Sequence, residues 1–213
     1  IFKATASGVL PSGQPVVVNA DGTVSVVGGD SATQSAGSAQ VFESATTAHI
    51  SSAFDSNSSR LVIGYQDQGN SSYGTVVVAT VGEASLTFGT PVVFNSGNAR
   101  TYPSGTVFDS NLNKIVIFFQ DGGDGDKGKA IVGTVDPSDN SISFGSEVAF
   151  DTTGASDEIA ATFDSNANKI VAFYKDGGDT NKGKSFVATV SGTSISFGAI
   201  VEVTENNSDY NAI

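Results

Sequence analysis

FDSNLNKIVIFFQDGGDGDKGKAIVGTV, residues 108–135, decides how this chain folds, because two other stretches repeat it without a gap. Residues 54–81 read FDSNSSRLVIGYQDQGNSSYGTVVVATV, and residues 163–190 read FDSNANKIVAFYKDGGDTNKGKSFVATV. The second and third copies agree at 19 of 28 columns, which chance does not produce. A related tail follows each copy: SLTFGTPVVF at 85–94, SISFGSEVAF at 141–150 and SISFGAIVEV at 194–203. The Phe-Asp pairs beginning at Phe54, Phe108 and Phe163 recur after 54 and then 55 residues. A fixed period of this length marks a stacked-repeat architecture.

One period predicts four strands. In the second copy these are 105–108, 114–120, 129–135 and 141–150, with a turn at 110–113 and a Gly- and Asp-rich loop at 121–127. The 114–120 segment is apolar on both faces through Ile115, Val116, Ile117, Phe118 and Phe119, the pattern of a strand covered on both sides. Four antiparallel strands in about 50 residues, with a doubly covered second strand, describe a propeller blade. The expected fold is therefore all-β: a propeller-like array of four-stranded antiparallel blades. A stacked β-sandwich is the second choice, though it does not require so strict a period.

Outward from the repeats, the predicted divisions are 41–94, 95–150 and 151–203. A hairpin and linker at 1–40 precede them. Ala20-Asp21-Gly22 between apolar runs at 14–19 and 23–27 is a hairpin signal. GGDSATQSAGS at 28–38 has the composition of a flexible linker. Residues 208–213, SDYNAI, line up with 156–161, SDEIAA, so 204–213 reads as the start of a fourth repeat. The expectation is a piece of a longer protein, or an array completed by other chains.

Composition narrows the function. Ten Lys+Arg against 22 Asp+Glu give a formal net charge of -12, a field that repels nucleic-acid phosphates and anionic membranes. No apolar run approaches the ~20 residues a membrane helix needs. With no cysteine there is no disulfide, thiolate metal site or Cys nucleophile. His49 is the only histidine, and no G-x-S-x-G elbow occurs. Sialidase-type propellers hold a carboxylate with an arginine cluster, whereas this chain has only Arg60 and Arg100. Asp157 and Glu158 are adjacent, and in a regular strand they would point to opposite faces. The sequence thus reads as non-enzymatic.

Two sets of candidate site residues stand out. Asp121, Asp124 and Asp126, with Asp176, Asp179 and Asn181, place oxygen ligands at alternate positions of Gly-containing loops, the chemistry of a Ca²⁺ site. The competing reading is turn geometry. The first copy keeps Asp67 but has Asn70 and Ser72, Lys127 and Lys182 sit inside the loops, and no bidentate Glu follows. Turn geometry is therefore favoured and no cofactor is expected. Tyr73, Tyr102 and Tyr210 break the repeat pattern, and an exposed aromatic face is what a glycan stacks on.

The FDSNxNKIVxFYxDGG block and the SxSFG tail resemble repeats in virion structural proteins of marine bacteriophages, cyanophages especially. The lead-in TASGVLPSGQPVVVNADGTVSVV is similar to segments that precede such repeats. The resemblance implies an extracellular, virion-surface protein of fibre or decoration type that adsorbs to a host surface. Its partners would be other virion subunits and a host-surface glycan, within a larger oligomeric assembly. It implies no catalytic motif. A purely structural appendage subunit, or a non-catalytic piece of a carbohydrate-active propeller enzyme, are the alternatives.

Overall fold

The computed structural model describes residues 4–10, 12–13, 15–26, 37 and 39–208. Most of the 28–38 segment, and Tyr210 with the rest of 209–213, lie outside the described residues. The chain divides into two compact units, Ile1–Ser38 and Ala39–Ile213.

In the first unit, β1 (Thr5–Ala6), β2 (Val16–Val18) and β3 (Thr23–Val26) form a small sheet in the order β1-β3-β2. β2 and β3 pair antiparallel, Val16 opposite Val26. Their connection turns on Gly22 at φ 80°, while Asp21 Oδ1 accepts from the Thr23 N–H at 2.9 Å. β1 adds a parallel pair to β3 that the sequence pattern had not suggested.

Among its described residues the second unit is all-β apart from three short 3-10 turns. Unit A holds β4 (Thr47–Asp55), β5 (Arg60–Asp67), β6 (Tyr73–Val81), β7 (Leu86–Phe88) and β8 (Val92–Arg100). Unit B holds β9 (Thr106–Asp109), β10 (Lys114–Asp121), β11 (Lys127–Asp136), β12 (Ser141–Phe144) and β13 (Val148–Ala149). Unit C holds β14 (Ser156–Asp164), β15 (Lys169–Asp176), β16 (Lys182–Ser191), β17 (Ser194–Phe197) and β18 (Val201–Asn207). Within each unit the first three strands pair antiparallel in chain order, and the remaining two both pair with the third.

The tail expected as one strand at 141–150 is broken in two. Gly145 lies so close to the next repeat that a Cβ there would sit 2.0 Å from the Thr193 carbonyl oxygen. Gly89 meets Asn140 in the same way, at 2.3 Å. Gly89 and Gly145 thus let the turn of the following unit approach the backbone.

β8 carries the chain from one unit to the next. Its first half pairs with β6, Val92 opposite Val76, and its last two residues pair with β10, Arg100 opposite Gln120. First strands of neighbouring units then lie side by side. The Thr106 N–H donates to Ser51 Oγ at 2.8 Å, and the Ala161 N–H donates to the Ser104 carbonyl at 2.9 Å.

Packing follows from strand alternation. Ile115, Ile117 and Phe119 of β10 enter a core shared with unit A, alongside Val62, Val76 and Phe94. Val116 and Phe118 point the other way, into a core with Ile170, Tyr174 and Phe186 of unit C. Five consecutive apolar residues are buried because neighbours cover both faces of their sheet.

The Phe-Asp-Ser-Asn turns work through their aspartates. Asp109 Oδ1 accepts from the N–H groups of Asn111 and Leu112, both at 3.0 Å, and the turn closes on Asn113 at φ 55°. Asp55 and Asp164 do the same in units A and C. Asp109 is buried and Asp164 exposed. Asp109→Ala should therefore cost about 1–2 kcal/mol, because two turn N–H groups lose their acceptor away from water. Asp164→Ala should cost less, since solvent replaces the carboxylate. Urea midpoints of the two variants check this, and equal losses would contradict it.

Candidate functional site

The Asp- and Gly-rich loops fold as 3-10 turns held by their first aspartate. Asp121 Oδ1 accepts from the Gly123 N–H at 2.9 Å, and Gly125 ends the turn at φ 70°. The other oxygen, Oδ2, meets the Lys129 ammonium at 2.8 Å and the Asn95 amide at 3.0 Å. Lys129 also contacts Asp124 at 3.1 Å and Glu147 at 2.8 Å, with its side chain only 10% exposed. In unit C, Lys184 bridges Asp176 at 2.7 Å and Asp179 at 2.9 Å.

Of the candidate calcium ligands, Asp121 with Asp124, and Asp176 with Asp179, therefore converge, but on a lysine ammonium. Asp126 instead lies 3.8 Å from Arg100, and the Asn181 carbonyl accepts from the Ser208 N–H. Among the described residues no group of three or more His, Cys, Asp or Glu is gathered so as to hold a metal ion. Burial alone would depress Lys129, yet its hydrogen bonds to Asp121, Glu147 and Asp124 outweigh that and hold its pKa above the ordinary lysine value. Asp176 and then Asp179 do the same for Lys184.

Unit A explains why this cation was not singled out by sequence. There Thr75 stands in place of Lys129, Asn70 in place of Asp124 and Pro91 in place of Glu147. The lysine and two of its three carboxylates disappear together. That concerted exchange was visible in the alignment, but its meaning needed the strand register that brings positions 121, 124, 129 and 147 to one point.

A second polar cluster forms where the first strands of the units meet. The Tyr102 hydroxyl donates to Asp157 Oδ1 at 2.9 Å, and the Gln120 amide donates to the same oxygen at 2.7 Å. Arg100 donates to Gln120 Oε1, and the His49 ring stands edge-on to Tyr102 with centroids 5.8 Å apart. β-Bulges aim these side chains. The register slips between Ala48 and Ser51 in β4 and between Asp157 and Ala160 in β14. His49 at φ 48° and Glu158 at φ 50° occupy the bulges.

The strand is thus not regular at Asp157 and Glu158, and the two carboxylates reach different partners. Asp157 faces Tyr102 and Gln120, while Glu158 meets Lys175 at 3.1 Å. Burial, and then Arg100, lowers the pKa of His49. Burial, and then the Asp157 charge, pushes the Tyr102 hydroxyl well above the usual phenol range. Tyr73, half-buried at the start of β6, does not join this group: among the described residues no ring contact or hydrogen bond links it to Tyr102. Tyr210 lies outside the described residues.

A cleft of about 330 Å³ opens in unit C, lined by Asp151, Tyr174, Asp176, Lys184, Ile200 and Glu202. Ile200 there occupies the position of Glu147, whose carboxylate contacts Lys129 in unit B.

The raised groups share one sign. Tyr65, pushed up to about 12 chiefly by burial, Tyr102, Lys129 and Lys184 all hold their protons more tightly folded than unfolded. Their contribution to stability is complete below the unfolded values near pH 10 and is lost as pH rises through the folded ones. Urea midpoints should be flat from pH 8 to 9.5 and fall between pH 10 and 12. A midpoint that rises across that window would contradict the assignment.

The chain is an all-β protein of tandem repeats folded as antiparallel sheets. Compared with known proteins, it matches no family model and no curated sequence.

Proposed function

We propose that this chain is a non-catalytic display protein of an exposed biological surface, of the virion fibre or decoration kind. In this reading its units are blades of a propeller-like array, and the cluster around Tyr102 takes a host-surface glycan. The observation that carries it is the cluster itself, an aromatic ring, a carboxylate, a carboxamide and a guanidinium brought together where first strands of neighbouring units meet, at positions that are not the same in all three repeats. The FDSN turns keep one motif throughout, and the second and third strands keep their apolar pattern. At the junction of first strands, by contrast, the repeats read Thr46, Arg100 and Ala155, then Ala48, Tyr102 and Asp157, then Gln66, Gln120 and Lys175.

Residues that vary on a repeated scaffold are a route by which a binding site is added to such folds. An aromatic ring beside a carboxylate, a carboxamide and a guanidinium suits a sugar, whose C–H face stacks while its hydroxyls donate and accept. The acidic surface disfavours a phosphate-rich ligand.

The test is binding of the purified chain to an immobilised panel of bacterial surface polysaccharides, alongside Tyr102→Ala and Gln120→Ala. Retention of a subset of glycans, weakened about tenfold or more by either substitution, is the expected result. Binding to none, or equal binding by the variants, would remove the glycan reading.

A further inference from the structure

The second strand of every repeat unit meets the segment that leads into that unit, and the three meetings are built alike. A phenylalanine of the segment stands edge-on to an aromatic ring of the strand. Phe42 lies 5.1 Å from Tyr65, Phe94 5.1 Å from Phe119 and Phe150 5.2 Å from Tyr174. The next residue then makes the same bond to the backbone two places on. Glu43 accepts from the Ala45 N–H at 2.8 Å, Asn95 from Gly97 at 2.7 Å and Asp151 from Thr153 at 2.9 Å. A Cβ on Gly69 would strike Ala45, as one on Gly123 would strike Gly97. Glu43, Asn95 and Asp151 thus hold one position of the fold.

That position lies beside the aspartate that opens the 3-10 turn. In unit B the Asn95 amide donates to Asp121 Oδ2 at 3.0 Å, and the Lys129 ammonium meets the same oxygen at 2.8 Å. In unit C, Asp151 lines one cleft with Tyr174, Asp176 and Lys184, and the Lys184 ammonium meets Asp176 at 2.7 Å.

Unit A keeps the acids and loses the lysine. Asp67 is only 8% exposed, and one of its oxygens accepts from the Asn70 N–H at 3.1 Å. Among the described residues no donor reaches the other oxygen. Thr75 pairs with Tyr65 across β5 and β6, as Lys129 pairs with Phe119 and Lys184 with Tyr174. Glu43 brings a second carboxylate to the side of Asp67 on which Asn95 brings an amide to Asp121. The Tyr65 hydroxyl is fully buried and has no hydrogen-bond partner. Two residues apart on β5, Tyr65 and Asp67 share a face of the strand. The charges of Glu43 and then Asp67 add to burial in holding the proton on that hydroxyl.

Two carboxylates and an unpaired phenol oxygen surround a point where both sister units hold an ammonium. A buried carboxylate pair without a counter-charge is costly, and a bound cation removes that cost. The stand-in groups give the size. In units B and C the ammonium lies 2.7–3.1 Å from its carboxylate oxygens. Those distances exceed the roughly 2.3–2.6 Å at which calcium binds oxygen. Potassium and ammonium share both the size and the single charge.

We propose that unit A binds a monovalent cation of ammonium size, potassium or ammonium itself, between Asp67, Glu43 and the Tyr65 hydroxyl. The ion does there what Lys129 and Lys184 do in units B and C. The proposal does not depend on any glycan.

Urea midpoints of the full chain at neutral pH test this, as KCl replaces tetramethylammonium chloride at constant ionic strength. Tetramethylammonium has the charge but is too large for the point. The wild-type midpoint should rise with KCl and level off, because an ion that binds only the folded chain stabilises it by mass action. Ammonium chloride should act alike. Thr75→Lys, which restores the lysine of the sister units, should abolish the response and raise the midpoint in tetramethylammonium chloride. Tyr65→Phe, which copies Phe119, should need more KCl to reach half the rise. Equal wild-type midpoints in the two salts overturn the proposal. So does a KCl response that survives Thr75→Lys, which would place the ion elsewhere, or one unchanged in Tyr65→Phe. A response to calcium chloride alone overturns the monovalent assignment.

Discussion

Phe150→Ala should lower the free energy of unfolding by about 3–5 kcal/mol, the range for truncating a buried phenylalanine. Phe150 is buried at the joint of units B and C, where its ring centroid lies 4.8 Å from Phe186 and 5.2 Å from Tyr174. Phe118 and Phe197 complete the shell at 6.1 and 5.9 Å. Neighbours on four elements cannot all close over the vacated space, so transfer loss and cavity add. Gly128 sharpens the prediction, since it leaves bare backbone against the ring and cannot fill the gap. Phe150→Val, which copies the residue at position 203, should cost less but more than 1 kcal/mol. Urea denaturation measures both, and a loss below 1 kcal/mol for alanine would show that the ring does not hold the joint.

Lys129→Thr should cost about 3 kcal/mol, at the low end for breaking a buried ion pair. The substitution leaves Asp121, its side chain 5% exposed, with no counter-charge, though the Asn95 amide and Gly123 N–H remain as donors. It also sets Asp124 and Glu147 against each other across the vacated point. Adding Asp124→Asn and Glu147→Ala should recover at least half of the loss, because unit A carries Thr75 and Asn70 around a buried Asp67 with no lysine. If the triple variant is no better than the single one, the loss comes from the lysine stem and not from its charge.

Much of the fold could be read from residues 108–135 alone. The five apolar residues of β10 required neighbours on both faces, and the recurring Phe-Asp pairs supplied those neighbours. Asp109 and its counterparts could be placed in turns because an aspartate acts on N–H groups two and three residues ahead, an interaction confined to the local chain. The candidate site was less legible. Lys129 looked like any strand lysine until the register set it against Glu147, eighteen positions on. His49 and Glu158 sit in bulges with left-handed backbone, and neither residue type announces that conformation. Tyr102 was singled out for breaking the repeat, but its partner Asp157 lies fifty-five residues away. The match of Phe42 to Phe94 and Phe150 rests on one or two residues, too short a signal to separate from composition.

Burial on both faces of β10 and β11 sets unit B apart from unit C, whose β15 alternates between buried and half-buried residues, and the difference bears on how the array opens. Repeats that touch only adjacent repeats behave as a linear lattice with nearest-neighbour coupling. An isolated end unit is held by one coupling and the middle unit by two. Amide exchange in native conditions should therefore be slowest in β10 and β11 and faster in β15 and β16, although the two copies that hold these hairpins agree at 19 of 28 columns. Protection would then report a residue's place in the row more than its chemistry.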